Sequence, residues 1–301
     1  MAKQPKDIAA SVRQRLLNLA RAEGQLFDVV LVAFGLERLV YRLSVSEYRD
    51  RFVLKGGMLV TLWTADTGRF TRDIDFLAFG SDEEAELKTA FSQILAIDGD
   101  DGLVYDIESL TAVAIREDQI YGGMRLRTEA RLGNTRIPIT VDLGFGDALA
   151  DPQYEIEYGS LLDFPASTIR AYSPATVIAE KFQAVVALGL ANSRMKDLYD
   201  LWTLPKSIDI DTGDLAAAIR GTFARRDTIV PASCPVGLSE EFSTDPAKMT
   251  QWRAYSGGTA LEGRPLAEVT AEIWAWLEPA CRAAVRLPRS ARSCCPCRGP
   301  R

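Results

Sequence analysis

Histidine is absent from this chain of 301 residues, and no other feature of its composition removes as much chemistry. Without an imidazole there is no His-based catalytic triad, no HExxH metal helix and no histidine general base. Catalysis must rest on carboxylates, Lys, Arg, Ser, Thr, Tyr or Cys. Cysteine is scarce and poorly placed for a metal. Cys234 and Cys281 stand alone, while Cys294, Cys295 and Cys297 crowd the closing "CCPCRGPR". Three thiols without histidine do not complete a four-ligand zinc site. With Arg289, Arg292, Arg298, Arg301 and no acid, residues 288–301 are expected to form a disordered basic tail. Long apolar runs are missing too: "LFDVVLVAFGL" at 26–36 contains Asp28 and is too short to cross a bilayer. The first residues carry basic side chains but no apolar signal core, so the expected location is cytoplasmic, with no membrane partner. A net charge of −6 argues against binding nucleic acid through bulk charge, though it leaves a local basic groove open.

What is present patterns as an α+β protein. Ile8, Val12, Leu16, Leu17 and Leu19 recur at helical spacing, and a second helix is expected over 25–43. "FVLKGGMLVTLW" (52–63) reads as strand, Gly-Gly turn and helix start, and "RDIDFLAF" (72–79) as a strand. The helix in "SDEEAELKTAFSQILA" is expected to take Ser81 as N-cap with Glu84 in a capping box. "YGGMRLRTEARLG" and "TRIPITVDLGFG" pattern as paired strands joined by a turn at Gly133–Asn134. Beyond Pro165 the pattern is helical, opening at Ser173 as N-cap and Pro174 at the first helical position. The expected division is an α/β part with N-terminal helices at 1–165 and a helical part at 166–287 that completes the active site.

Asp73 and Asp75 flank a single isoleucine. On a strand they share one face, either as two solvated acids at a strand entrance or as a pair converging on a cation. Asp142 stands out from the apolar face of Ile137, Ile139, Val141 and Leu143. If its strand neighbours the first, three carboxylates meet at one sheet edge, an arrangement suited to Mg²⁺-assisted phosphoryl or nucleotidyl transfer. Gly56 and Gly57 leave backbone N–H groups open to phosphate at a helix start. Arg69 and Thr71 could add a phosphate contact and a hydroxyl. On the helical wheel Lys181 falls inside the arc of Val177, Ile178, Phe182, Val185 and Val186, with Glu180 opposite. Lys181 therefore either snorkels outward or is aimed at a phosphate. Asp197 and Asp200 share a helix face, and Lys196 can reach Asp200 at i,i+4.

Taken in order, Gly-Gly before a helix, then RxTxDxD, then a lone strand Asp resembles the active-site layout of the nucleotidyltransferase-β superfamily. "AEKFQAVVALG…SRMKDLYDLW" is similar to further motifs of the AbiEii/AbiGii toxin family, which includes MenT-type toxins. The resemblance spans roughly residues 8–280. It implies a nucleotidyltransferase-like mixed sheet core and a toxin of a type IV toxin–antitoxin, or abortive-infection, system. The implied reaction is Mg²⁺-dependent transfer of NMP from NTP to the tRNA 3′ acceptor end, and the implied partner is a winged-helix repressor antitoxin. Carried over by position, Gly56, Gly57, Thr71, Asp73 and Asp75 match the first motif, Lys181 the second, and Asp197 with Asp200 the third. "KGG" stands where many relatives have Gly-Ser, which leaves phosphate contacts to backbone N–H groups and Thr71. In this reading Asp73, Asp75 and Asp142 hold the metal. Gly56, Gly57, Arg69, Thr71, Lys181 and Asp200 serve the nucleotide, and Asp142 or Asp197 accepts the proton. Two alternatives stay open: transfer to a protein, and a catalytically silent partner-binding chain. An RNA acceptor would need a basic surface, for which Arg220, Arg225 and Arg226 are the candidates.

Overall fold

The computed structural model describes residues 7–66, 68–115, 122–147, 151 and 153–286. The expected tail at 288–301, with Cys294, Cys295 and Cys297, lies outside the described residues.

Two helices open the chain, α1 (Ile8–Ala22) and α2 (Phe27–Ser44), the first capped by the Asp7 side chain, which accepts from the Ala10 N–H. Strand β1 (Phe52–Lys55) runs into α3 (Gly57–Thr64) through Gly56, and β2 (Ile74–Ala78) returns antiparallel to β1. After α4 (Glu84–Leu95) come β3 (Leu103–Tyr105), β4 (Thr111–Ile115), β5 (Gly123–Leu132) and β6 (Thr135–Phe145). These six strands form one mixed sheet in the order β1-β2-β6-β5-β3, with β4 also paired to β5. A small antiparallel pair follows, β7 (Glu155–Tyr158) with β8 (Ser167–Arg170). The rest is helical: α5 (Pro174–Leu188), α6 (Met195–Ser207), α7 (Thr212–Arg225), α8 (Glu240–Thr244), α9 (Pro246–Ser256) and α10 (Leu266–Arg286).

Alternation decides the sheet's faces. In β6, Ile137, Ile139, Val141 and Leu143 are buried, while Thr140 and Asp142 lie on the opposite, half-buried face, as the sequence predicts. Parallel pairing of β2 with β6 sets Asp75 directly beside Asp142. The Gly133–Asn134 turn joins β5 and β6 with Leu132 opposite Thr135. Buried apolar side chains from Val12 to Ala284 join in one core, so residues on both sides of position 165 pack together. Pro174–Ala191 is apolar enough by length and composition to pass for a membrane span, yet half of it is buried within the fold.

Some local expectations shift. The cap of α4 is Glu83, not Ser81. The Ser81 hydroxyl accepts from the Glu83 N–H in a short turn before the helix, so no capping box forms with Glu84. Strand β2 begins at Ile74, leaving Asp73 just ahead of it rather than on its face. Pro205 lies inside α6, which continues to Ser207.

Candidate active site

A row of charged side chains crosses the sheet. Register places Lys55 of β1 beside Asp75 of β2, Asp75 beside Asp142 of β6, and Asp142 beside Arg125 of β5. Lys55, Asp75 and Asp142 of this row floor a cleft of about 460 Å³, whose other wall comes from α5, α6 and the residue before α6, through Glu180, Lys181, Arg194, Lys196 and Asp197.

Gly56 and Gly57 keep the front of the row open. Gly56 has φ +73°, and a Cβ there would stand 2.0 Å from Asp75 Oδ2. A Cβ on Gly57 already stands at 2.9 Å from Thr71 Oγ1 in ideal geometry. Backbone and carboxylate are thus in close approach where α3 begins, and no side chain caps its first turn. Thr71 does not face outward: its hydroxyl donates to Asp73 Oδ1 at 2.7 Å and fixes that carboxylate.

Burial raises the Asp75 carboxyl from 3.8 to about 6, Asp73 and Asp142 add to the rise, and Lys55 and Lys181 oppose it. Burial and the two neighbouring carboxylates thus outweigh Lys55 and Lys181 at this group. Asp142 differs, because Arg125 donates to both its oxygens, at 2.7 and 2.5 Å. Among the described residues no group of three or more His, Cys, Asp or Glu side chains is placed to hold a metal ion. With Asp142 engaged by Arg125, Asp73 and Asp75 are the carboxylates that would suit Mg²⁺, which commonly takes one or two and completes its shell with water and substrate phosphate.

The helical wall carries a buried ion network. Lys181 Nζ lies 2.7 Å from Asp197 Oδ1 and 2.8 Å from Asp200 Oδ2. Burial works against its charge, but Asp197 and Asp200 outweigh that and hold its pKa above the ordinary value. Lys181 thus points inward, and the snorkelling alternative does not hold. Asp200 is also gripped by Arg69, which donates through Nε and Nη2 at 2.7 and 2.8 Å, while Arg69 Nη1 donates to the Phe70 carbonyl. Arg69 is 1% exposed. Its Nε and Nη2 are committed to Asp200, so in the cleft lining it also acts as a strut for that carboxylate. The expected Lys196–Asp200 pair is absent because Arg69 and Lys181 occupy that carboxylate. Arg194 Nε lies 2.7 Å from Asp197 Oδ2, off the line a hydrogen bond needs.

A second network escaped the sequence reading. Lys55 Nζ donates to Asp147 Oδ2 at 2.8 Å, and Arg226 Nη2 meets Asp147 Oδ1 at 3.2 Å and Glu180 Oε1 at 2.9 Å. Burial would lift the Asp147 carboxyl, but Lys55 and Arg226 bring it down to about 2. Burial raises that of Glu180. Glu180, expected opposite Lys181, lines the same cleft, and Arg226, expected on a basic surface, turns inward to meet it. Arg225 donates to the Gly146 carbonyl. Lys55 had a signal in its position before Gly-Gly. Arg125 and Asp147 had none, because their partners are set by strand register and chain reversal.

The structure therefore brings Gly56, Gly57, Arg69, Asp73, Asp75, Asp142, Lys181 and Asp197 to one cleft, with Thr71 and Asp200 behind them as supports. Among curated proteins no match is found. Among solved structures, JHP933 from Helicobacter pylori is similar at 17% identity and TM-score 0.44, covering 84% of this chain and 90% of its own. An H. pylori protein provisionally described as a nucleotidyltransferase is similar at 16% identity and TM-score 0.43, covering 85% and 96%. At these scores neither likeness bears on this chain's chemistry. The family described as nucleotidyl transferase AbiEii toxin, type IV TA system, matches residues 38–279. With that match over most of its length, the chain belongs to the AbiEii family of type IV toxin–antitoxin nucleotidyltransferases.

Proposed function

We propose that this toxin transfers NMP from an NTP to the 3′ acceptor end of tRNA in the cytoplasm, blocking translation until a winged-helix repressor antitoxin counters it. The observation carrying the reading is the sheet-wide row of Lys55, Asp75, Asp142 and Arg125 beside the open start of α3. The part up to residue 165 supplies this row, and the helical part from 166 to 287 supplies Lys181 and its partners.

Asp73 and Asp75 would hold Mg²⁺, which when bound offsets charge on the triphosphate and on the developing pentavalent phosphorus. Backbone N–H groups at Gly56 and Gly57 receive phosphate oxygens. The acceptor 3′-hydroxyl oxygen bonds to the α-phosphorus, the bond from that phosphorus to the α,β-bridging oxygen breaks, and pyrophosphate departs. The hydroxyl proton passes to Asp142. Asp142 suits this better than Asp197, since it adjoins Asp75 in register and keeps more exposure, 18% of the side chain against 4%. Arg125 would have to release one Asp142 oxygen for that. Lys181, held cationic by Asp197 and Asp200, favours the anionic transition state instead of acting as a base.

The test is incubation of the full chain with each labelled NTP in turn and total RNA. Label should enter tRNA with the wild type, and Asp75→Ala should lose at least about a hundredfold in rate, in keeping with removal of a charge-stabilising group. Undiminished labelling by that variant refutes the metal-pair assignment. The net charge of −6, together with the inward turn of Arg226, favours a second reading, transfer to a protein. A protein pool in the same assay separates the two acceptors.

A further inference from the structure

The cleft is lined by several cations, and nearly all of them are already neutralised. Lys55 is paired with Asp147, and Arg226 with Asp147 and Glu180. Lys181 is paired with Asp197 and Asp200, Arg69 with Asp200, and Arg194 lies against Asp197. Lys196 also lines the cleft, from the first turn of α6, yet among the described residues no carboxylate lies within ion-pair distance of it. It is half-buried. Burial, then the like charges of Arg69 and Lys181, lower its pKa, and Asp73 and Asp200 push it only partly back. A lysine so placed gains by meeting an anion from outside the chain.

We infer that Lys196 is the residue that receives the β- and γ-phosphates of the incoming NTP and holds the pyrophosphate as it leaves. The inference rests on the nucleotidyl-transfer reading above and adds a binding residue to it. The α-phosphorus must lie over the sheet row, where Asp73, Asp75 and the start of α3 converge. The helical wall opposite is left for the distal phosphates, and Lys196 is the cation there that no carboxylate among the described residues matches. A compact ammonium serves as a point charge for phosphate and needs no fixed fork geometry.

The experiment is calorimetric titration of the full chain, with Mg²⁺ present, by each NTP and by its matching NMP. Wild type, Lys196→Gln and Lys196→Arg are compared. Lys196→Gln should weaken NTP binding roughly tenfold or more while leaving NMP binding unchanged, since NMP lacks the distal phosphates. Lys196→Arg should recover most of the loss. In the reverse reaction, Lys196→Gln should raise KM for pyrophosphate by a similar factor. Equal weakening toward NTP and NMP, or none toward either, overturns the assignment while leaving nucleotidyl transfer standing. A folded wild type that binds no NTP overturns both. Removing Lys196 breaks no ion pair, so the variant should melt at the wild-type temperature. A large drop in melting temperature would assign Lys196 to the fold and also refute the inference.

Discussion

At the scale of single residues, Asp75 is a carboxylate kept where its charge is disfavoured. Its folded pKa, about 6, lies above the ordinary 3.8, so the folded chain binds this proton more tightly than the unfolded chain does. The stability this gives is present below the ordinary value and lost as pH rises through about 6. Asp75→Asn should therefore stabilise the metal-free protein at pH 7.5 by roughly 2 kcal/mol, and the gain should vanish toward pH 4. Thermal melts across that range in chelator check the sign. Mg²⁺ should stabilise the wild type and not the variant. Arg69 shows how residue type and residue role part company. A cation two positions before Thr71 suggests phosphate binding, but its donors are engaged by Asp200 and the Phe70 carbonyl.

At the scale of elements, α3 matters for how it starts. Its cap residue, Gly56, has φ +73° and no side chain, and Asp75 occupies the space a Cβ would need. Gly56→Ala meets both obstacles, a left-handed backbone and a carboxylate oxygen 2.0 Å from the new carbon. The variant should lose about 1–3 kcal/mol of stability and most nucleotide labelling, because relief requires moving Asp75 off the row. Circular dichroism melts and the labelling assay read the two effects separately. Register in β6 is equally demanding: a slip of one residue would carry Asp142 to the buried face. Helix α6 adds the complementary spacing, with Asp197 and Asp200 three apart and both within reach of Lys181.

Across the whole molecule, ion pairs between distant segments hold the cleft to the core. Arg69 and Asp200 are 131 positions apart, and Lys55 and Asp147 are 92 apart. A third buried cluster ties α2 to the approach of β3, where Asp101 accepts from Arg38 Nε at 2.8 Å and from Arg42 Nη1 at 2.7 Å. Burial would raise the Asp101 carboxyl, but Arg42 and Arg38 hold it below its ordinary 3.8, so its contribution is present above that value and lost as pH falls. Asp101→Asn should cost about 3 kcal/mol at neutral pH by stranding two buried guanidinium groups. Urea midpoints should show the gap to wild type closing below pH 4. The sequence by itself determined the chemistry available and the local elements. Without histidine the work falls to carboxylates and lysine, alternation set the faces of β6, helical period put Lys181 within the apolar arc of its helix, and Ser173–Pro174 marked the start of α5. Those signals act over a few residues, which is why they are legible in the chain itself. Only the tertiary structure decided which charges remain available. Arg125 closes on Asp142, Arg69 on Asp200, and Arg226 on Glu180, leaving Lys196 open, because ion pairing depends on distance in space, which strand register and helix packing fix and sequence spacing does not.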